Sequence, residues 1–367
     1  MRNLFRIAAV LAAFGVAAGL PNAASAAGHD HEMGGLELFL SLQGVSHDGA
    51  NAAAERQEDS WGIADLVFSG GLGRWRAMGE YNLGPLEKDL ERFQVGYEPV
   101  PDTVLWLGRF HQPGSAWNNE FHHGHYLETS ITRPAIESWE DEEGLVPQHL
   151  VGTLLEVRRP LGAVAGLQLS LGIGLGSVMD AEGLVPVELL KTNHGGHQLS
   201  QTLRIAFLPQ YLGSSSFGLL LGAHRTPVID ALQAAKLGAN EVDQDVLGAY
   251  LDLDRDRWRA VAAGYYFGVD LRAPGGERRE HFASGYVQLE RELPHRLTGY
   301  LRHENSVNAG ASHYVAIHDD DFVARGNVLG LRWDLARRQA VTVEVSRLTV
   351  DRARQGAARI QWSSVIQ

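Results

Sequence analysis

The sequence has no cysteine in 367 residues and only three lysines, Lys88, Lys191 and Lys236, so 29 of its 32 basic residues are arginine. Without cysteine the fold cannot be stabilised by disulfide bonds. With 44 acidic residues the formal charge is −12. A surface this acidic argues against nucleic acid as a partner.

Long apolar runs are also missing. After residue 26 no segment offers 18 consecutive apolar residues, which excludes a membrane-spanning helix in the rest of the chain. A membrane β-barrel remains open, because each of its strands needs only about 9 to 11 residues of alternating character.

Residues 1–26 have the three parts of a secretory signal: Arg2 and Arg6, an apolar stretch over 7–20, and a small-residue end at 24–26. The alternative, a membrane anchor, would need an apolar stretch nearer to about 20 residues. Cleavage after Ala26 removes two arginines and no acid, which takes the formal charge from −12 to −14. Residues 27–35 then form a periplasmic N-terminal segment; cleavage after Ala27 is the other option.

The dominant pattern after the signal has period two. In GRWRAMGEYN, apolar or small residues alternate with polar or charged ones, and the alternation returns in QLSQTLRIAF, RLTGYLRHE and AVTVEVSRL. Because residues i and i+2 of a strand share a face, this pattern predicts strands with one apolar and one polar face. Sixteen strands are predicted, at 36–44, 60–70, 73–82, 90–98, 102–111, 149–158, 166–178, 198–208, 214–225, 244–254, 257–268, 281–291, 295–305, 322–335, 339–349 and 357–366.

The connections alternate between short ones, such as 70–73 and 336–338, and long ones, such as 179–197 and 226–243. This is typical of an antiparallel up-and-down barrel with short turns at one rim. The soluble alternatives, a β-sandwich or a lipocalin-like barrel, would point the apolar face inward. Sixteen strands would leave a lumen too wide for side chains to fill, so residues 36–367 are predicted to form an all-β transmembrane barrel whose apolar face meets lipid.

Aromatic residues near the predicted strand ends fit the girdles of a membrane barrel, although aromatic residues also favour strands in general. They are Trp61, Trp75, Tyr81, Tyr97, Trp106, Trp258, Tyr266, Trp333 and Trp362.

The longest connection, residues 112–148, follows the fifth strand and is the third external loop if the N-terminus is periplasmic. With the signal, the sixteen strands and the alternating connections, it makes the mature chain resemble the Gram-negative general and substrate-specific porins. That resemblance implies a third loop folded into the lumen and a passive channel for small hydrophilic or charged solutes. It places the protein among the lipids of the outer membrane of a Gram-negative bacterium, as a homotrimer. It also implies no enzymatic activity and no required cofactor. Locally, LGRFHQPGSAWNNEFHHGHYLETSITRP resembles poorly characterised porin-like proteins with an FHxPxxxWN and HHG signature, and implies no substrate.

An acidic loop facing an arginine-bearing wall would set a transverse field across a pore. The predicted constriction acids are Glu120, Glu128, Glu137, Glu140, Asp141, Glu142 and Glu143, and the predicted pore-wall residues are Arg74, Arg76, Arg92, Arg109, Arg204, Arg257, Arg259, Arg302 and Arg359. Net charge favours cations, whereas arginines at the narrowest point would favour anions.

The runner-up is a metal-related outer-membrane protein. His122, His123 and His125 lie near Glu120 and Glu128, a donor set that could bind Zn²⁺ or Cu²⁺. No fixed spacing such as H-E-x-x-H is present, so the histidines could instead brace the loop. Cleavage after Ala26 would make His29 the third residue, which suits Cu²⁺ or Ni²⁺, unless that segment is only a flexible tail.

Two further functional classes are an enzyme and an adhesin or structural barrel. A barrel enzyme would need a nucleophile, and Ser130 near His125 and Ser200 near His197 stand in no G-x-S-x-G motif. An adhesin or purely structural barrel would show a blocked lumen and no conductance. The sequence therefore favours a channel without enzymatic activity.

Overall fold

The computed structural model describes residues 35–48, 60–84, 88–115, 117–121, 126–139, 144–181, 183–190, 195–318, 322–350 and 353–366. The predicted signal, residues 1–26, lies outside the described residues, as does the predicted N-terminal segment 27–35 except for Gly35.

Sixteen strands form a closed antiparallel barrel, and every predicted strand is confirmed with ends within five residues. The strands are β1 (Leu36–Asp48), β2 (Ser60–Leu72), β3 (Trp75–Leu83), β4 (Lys88–Val100), β5 (Thr103–His111), β6 (His149–Leu161), β7 (Ala165–Leu175), β8 (Leu199–Leu208), β9 (Ser216–Pro227), β10 (Glu241–Arg255), β11 (Trp258–Ala273), β12 (Gly276–Leu293), β13 (Leu297–Val307), β14 (Val323–Ala336), β15 (Gln339–Val350) and β16 (Ala353–Ile366).

Each strand pairs with its neighbours in the chain, and β1 closes the barrel by pairing with β16 through Leu38↔Ile366 to Asp48↔Gly356. Closure gives every strand two hydrogen-bonded neighbours, so the sheet has no free edge. This network stabilises a chain that has no disulfide bonds.

In a soluble protein the apolar face of a strand is buried and the polar face is exposed, whereas here the polar face is buried and the apolar face is exposed. On β15, Thr342, Glu344 and Ser346 are buried, whereas Val343 and Val345 are 45% and 53% exposed. We call the buried face the inner face and the exposed face the outer face. An exposed apolar outer face around a closed barrel is the surface that lipid chains cover in a membrane.

The connections also divide between two rims. Short connections at 72–75, 100–103, 161–165, 208–216, 255–258, 293–297 and 336–339 form the short-turn rim. Tight turning there uses left-handed backbone at Gly73 (φ 59°), Asp256 (φ 57°) and Arg338 (φ 80°). The other connections form the long-loop rim.

One hairpin at the long-loop rim departs from the prediction. β11 and β12 extend to Ala273 and Gly276, so only residues 274 and 275 connect them, and β12 has 18 residues. Four of the five extra residues of β12 are charged, which hides the strand pattern in the sequence there. Arg279 pairs with Asp270 at 2.6 Å across the two strands on the outer face.

Several aromatic residues lie exposed near the short-turn rim. Trp75, Trp258 and Trp333 are exposed on the outer face, as a girdle would be. Trp106 differs: it alternates with the exposed Leu105 and Leu107, so its side chain is buried on the inner face, where its Nε1 donates a hydrogen bond to Glu156 at 2.8 Å.

Helices are few and short. Ala231–Leu237 begins after Asp230, whose side chain accepts a hydrogen bond from the Gln233 backbone N–H, and ends at Gly238 in the left-handed region. His313–His318 is the other α-helix among the described residues, and a small hairpin pairs Val178–Met179 with Leu184–Val185. Within the described ranges, no helix has the length and apolar content needed to cross a membrane.

The inner face has two unlike halves. On β8 to β12 it carries an apolar cluster that we call the apolar wall: Ala206, Leu220, Val246, Tyr250, Val261, Ala263, Tyr265, Phe267, Phe282 and Tyr286. From the lower part of β12 through β16 to β4 it is mostly polar, and we call that half the polar wall; its buried residues include Gln288, Glu290, Arg302, Glu304, Arg332, Glu344, Gln361, Ser41, Asp65, Glu80 and Gln94. The sequence pattern predicts a polar inner face all round, and the apolar wall departs from this because part of the connection 112–148 packs against it.

Candidate functional site

Residues 126–137, which we call the docked segment, contact the inner face from the short-turn rim upward. The Tyr126 hydroxyl accepts a hydrogen bond at 3.0 Å from the backbone N–H of Arg338, which lies in a short turn. Thr129 Oγ1 donates to Glu290 at 2.8 Å, three residues above the end of β12. The connection that begins at the long-loop rim therefore reaches the opposite rim.

The middle of the docked segment is held by Glu344 and Arg302. Glu344 accepts hydrogen bonds from the Ile131 backbone N–H at 3.0 Å and from Thr132 Oγ1 at 2.7 Å. Arg302 donates to the Thr132 carbonyl at 2.6 Å and to its hydroxyl at 2.8 Å. Charge-assisted hydrogen bonds of this kind, at buried groups, fix both position and direction.

Further contacts rise toward the long-loop rim. The Ala135 backbone N–H donates to Glu304 at 2.9 Å, and Glu137 lies against Tyr265. At the top, the Leu145 carbonyl accepts from Gln244 at 3.0 Å. The wall partners therefore lie at successive heights, so the docked segment runs along the inner face rather than across one level of it.

Arg332 holds the lower end of the segment. Its guanidinium donates to the carbonyl of Tyr126 at 2.7 Å and to that of Glu128, and it lies over the Tyr126 ring at 5.0 Å from the centroid. Backbone carbonyls and an aromatic face both favour a cation there.

Apolar packing holds the two ends of the connection against the apolar wall. Trp117 is fully buried and meets Tyr286 edge-on at 6.0 Å between ring centroids. Trp139 meets Tyr265 in the same manner at 6.5 Å. These pairs add directional aromatic contact to a large buried apolar area.

Glu137 joins the two kinds of contact. Its carboxylate accepts hydrogen bonds from Ser115 at 2.8 Å, Asn118 at 2.9 Å and Tyr265 at 2.9 Å. Complete burial raises the pKa of Glu137 from 4.5 to about 7, against the opposing effect of the hydrogen bonds from Ser115 and Tyr265. The site that fixes this part of the loop is therefore sensitive to pH near neutrality.

Several guanidinium groups of the inner face are paired with carboxylates. Ion pairs with wall carboxylates are formed by Arg76 with Glu98, Arg92 with Glu80, Arg259 with Asp252, Arg302 with Glu304 and Arg332 with Asp334. Such pairing reduces the net positive field that unpaired arginines would project into the lumen.

No protein-family model matches the sequence, and no curated protein matches it. Solved structures do match the fold. The anion-selective porin from Comamonas acidovorans superposes with a TM-score of 0.59 at 12% identity, covering 91% of this chain and 99% of that one. The outer membrane channel DcaP of Acinetobacter baumannii gives 0.56 at 10% identity, with 91% and 97% covered, and Salmonella typhi OmpF in complex with daunomycin gives 0.52 at 12% identity, with 89% and 97% covered.

This chain has the porin fold. The match extends over nearly the full length of each of these porins and channels. At 10 to 12% identity the likeness establishes the fold of the chain and leaves its solute to be argued from its own residues.

The porin fold separates the predicted pore-wall arginines into two groups. Side chains on the inner face are those of Arg76, Arg92, Arg204, Arg259, Arg302 and Arg359. Arg74 and Arg257 are exposed in short turns, because their strands begin at Trp75 and Trp258, two residues and one residue later than predicted. Arg109 points to the outer face, two residues along the strand from the exposed Leu107, and pairs with Asp89 at 2.7 Å.

The predicted constriction acids are only partly described. Glu128 and Glu137 are buried, and Glu128 contributes its backbone carbonyl to Arg332. The side chain of Glu120 and the whole of Glu140, Asp141, Glu142 and Glu143 lie outside the described residues, as do the proposed metal ligands His122, His123, His125 and His29. An acidic loop facing a basic wall is therefore a prediction that these residues leave untested.

Sequence reasoning missed the wall residues that bind the loop: Glu290, Glu304, Glu344 and Arg332. Their signal was present, since Glu304 and Glu344 occupy polar positions in RLTGYLRHE and AVTVEVSRL. The alternation does not show that Glu304 and Glu344 accept hydrogen bonds from backbone N–H groups of the loop, or that Glu290 accepts one from the Thr129 hydroxyl.

The two serines considered as nucleophiles have other surroundings. Ser130 donates to the Thr132 carbonyl at 3.0 Å and accepts from Arg302. His197 lies with its Nδ1 2.8 Å from the Gly176 carbonyl. In the described part of the chain, neither Ser130 nor Ser200 forms a hydrogen bond with a histidine.

Proposed function

We propose that this protein is a passive porin-like channel for small hydrophilic or charged solutes in the outer membrane of a Gram-negative bacterium. The observation that carries the proposal is the set of hydrogen bonds from residues 126–137 to inner-face side chains of β12 to β15, inside a barrel with an apolar outer face. In this proposal the connection 112–148 folds into the lumen as the constriction.

The contacts support a long, narrow passage rather than a short ring. The connection 112–148 meets the wall near the short-turn rim at Tyr126 and toward the long-loop rim at Leu145. A solute would pass between this segment and the part of the polar wall that it leaves free. Length and narrowness both favour small solutes, which keep polar contacts on the way through.

We also propose a modest preference for cations. The inner-face arginines that the sequence suggests as an anion filter are mostly paired with carboxylates, as Arg259 is with Asp252 at 2.5 Å. The remaining bias is that of an acidic chain, with a formal charge of −12. The reversal potential in a potassium chloride gradient measures this preference directly, and a reversal potential of the anion-selective sign contradicts it.

A homotrimer is part of the proposal. Vibrio cholerae OmpT, described as a trimer form, superposes with a TM-score of 0.50 at 9% identity over 90% of this chain and the whole of that one. Native mass measurement in a mild detergent tests the state, and a monomer under conditions that preserve conductance contradicts it.

The first experiment is single-channel conductance in a planar bilayer, with the wild-type protein and with residues 126–137 deleted. Stable ohmic steps that grow in the deletion variant are expected, because the segment would no longer fill part of the lumen. If the purified, folded wild type gives no steps, the channel proposal fails.

A cross-linking experiment tests the position of the segment separately. The chain has no cysteine, so Thr132→Cys combined with Glu344→Cys introduces the only two thiols, at positions whose side chains now touch at 2.7 Å. A short bifunctional thiol reagent is expected to join them. The matched control combines Thr132→Cys with Val343→Cys, whose side chain is on the outer face, and should not cross-link within one chain.

A further inference from the structure

Three side chains meet where the connection 112–148 leaves and rejoins the wall. His111 is the last residue of β5 and His149 the first of β6, and the two are paired directly across the strands. Glu91 on β4 occupies the next place in the row, since Phe93 pairs with Arg109 and Glu91 lies two residues further on. One ligand atom from each of the three residues lies within 4.8 Å of the others.

The distances suit a shared cation. His149 Nε2 lies 2.7 Å from Glu91 Oε2, and His111 Nε2 lies 3.8 Å from the same oxygen. Two donors at about 2.0 to 2.1 Å from a tetrahedral Zn²⁺ are roughly 3.3 Å apart. The two separations lie on either side of that value, so small side-chain rotations would bring all three donors to one ion.

The site is enclosed and lies at the edge of the apolar belt. Glu91, His111 and His149 are all buried, although the next outer-face residue along β4, Phe93, is 55% exposed. Arg109, in the adjoining row, is covered by the connection that follows β7, with its guanidinium 3.4 Å from the Val187 carbonyl. The ligands are thus held on paired strands, in a place shielded from bulk water.

The charges around the cluster favour a divalent cation. Arg109 is the basic group beside it, and Arg109 is matched by Asp89 at 2.7 Å and by Glu188 at 3.4 Å. With Glu91, these described residues place three carboxylates against one guanidinium. Two imidazoles and a carboxylate form a ligand set that transition metals prefer to the hard cations Mg²⁺ and Ca²⁺.

We propose that Glu91, His111 and His149 bind one Zn²⁺ ion, which fastens β4, β5 and β6 together at the base of the connection 112–148. Three protein ligands leave a fourth position for solvent. The ion does for this cysteine-free chain what a disulfide bond does elsewhere: it joins the two ends of a long connection. The site differs from the loop histidines at 122, 123 and 125, and it does not depend on the channel proposal.

The test uses the full-length protein purified from membranes, freed of metal with a chelator and titrated with Zn²⁺ by calorimetry. The wild type is expected to bind one Zn²⁺ per chain and to unfold at higher temperature with it. Glu91→Gln and His149→Ala should each weaken binding at least tenfold, since removing even an outer-shell partner typically costs about 10- to 100-fold. Co²⁺ should give a visible absorption band in the wild type that both variants lose.

Two controls separate this site from other histidines. His303→Ala removes a histidine of β13 that contacts Asn327 at 2.9 Å, far along the barrel from the cluster, and should bind Zn²⁺ as the wild type does. The combined change of residues 122, 123 and 125 to alanine should also leave the binding intact. If His149→Ala does not fold, Glu91→Gln, which keeps the shape of the side chain, decides.

Any one of three results would overturn the proposal: the wild type does not bind zinc, Glu91→Gln binds zinc as tightly as the wild type, or the triple histidine variant loses zinc binding. In the first case Glu91 and His149 form only an ion pair. In the last case the loop histidines are the ligands. A channel that conducts normally without zinc leaves the proposed function standing, so the two proposals fail separately.

Discussion

The apolar wall and the polar wall bind the same connection by different means. On the apolar wall, Tyr265 packs against Trp139 and Tyr286 packs against Trp117, so binding there depends on buried apolar contact area. On the polar wall, Glu344 and Arg302 hold single backbone and hydroxyl groups of residues 131 and 132 at hydrogen-bond distance. Apolar packing tolerates small shifts, whereas charge-assisted hydrogen bonds fix the register. The first supplies most of the docking free energy and the second its specificity.

The largest expected effect comes from breaking the apolar contact. Trp117→Ala should lower the free energy of loop docking by about 3 to 5 kcal/mol, the range for truncating a buried tryptophan. Protease cleavage within residues 112–148 of the folded protein should speed up accordingly. Trp333→Ala, which removes an exposed tryptophan of the outer face, is the matched control and should leave cleavage unchanged. Equal acceleration in both variants would contradict the packing role.

The next effect is a pH dependence at the junction of the two walls. The pKa of Glu137 rises from 4.5 to about 7 when the carboxyl is buried, so the docked loop holds the proton more tightly than the undocked one. Docking is therefore most stable below pH 4.5 and loses stability as the pH rises through 7, by about 3 kcal/mol in all.

The measurement is the rate of protease cleavage within residues 112–148, or the current noise of the open channel, between pH 4 and pH 9. Glu137→Gln keeps a neutral side chain at every pH and should abolish this dependence. A wild-type loop that loosens on acidification instead would show that the hydrogen bonds from Ser115, Asn118 and Tyr265 outweigh burial.

A smaller effect is expected on the polar wall. Glu344→Gln keeps the shape but removes the charge that Ile131, Thr132 and Tyr300 donate to, at a cost of about 1.5 to 3 kcal/mol. Glu98→Gln, which alters a carboxylate paired with Arg76 away from the loop, is the control. Cleavage of the loop should rise only in the first variant. If the two variants behave alike, wall charge and not loop contact governs the effect.

The smallest effect is expected outside the barrel. Arg279 is exposed and pairs with Asp270 on the outer face of β11 and β12. Exposed pairs of this kind are screened by water and salt. Arg279→Ala should leave thermal unfolding and loop cleavage indistinguishable from wild type, and a measurable loosening of the loop would show that the two faces of the hairpin are coupled.

The barrel itself could be predicted from the sequence because its cause is local. The alternation in GRWRAMGEYN is written into adjacent residues, and it gives the strand, its two faces and the strand count. The alternation also placed six of the nine predicted arginines on the inner face. Arg109 was predicted on the inner face but lies on the outer face. The residues after it, Phe110 to Gln112, show no alternation of polar and apolar residues that would assign the face at this end of the strand.

The docking of residues 126–137 could not be predicted, because its partners lie far away in sequence. Ile131 and Glu344 are separated by 213 residues, and no local pattern couples them. The apolar wall was missed for a related reason: on β11, the residues between Val261, Tyr265 and Phe267 are alanine, glycine and tyrosine, so both faces look equally suited to lipid. Only the closed barrel shows which face packs against Trp117 and Trp139.

The hairpin of β11 and β12 has a consequence beyond the pore. Its strands have 16 and 18 residues, whereas about 9 to 11 residues cross a bilayer. The surplus, joined by residues 274 and 275, extends beyond Val307, the last paired residue of β13, and stays hydrogen-bonded to β10 as far as Arg272. It forms a three-stranded ribbon with Arg279 and Asp270 on its surface. A rigid ribbon has the same shape free and bound. Its binding to an antibody or a phage receptor-binding protein would therefore cost little conformational entropy of the ribbon. With the long-loop rim outside the cell, as proposed, this ribbon would be a preformed epitope.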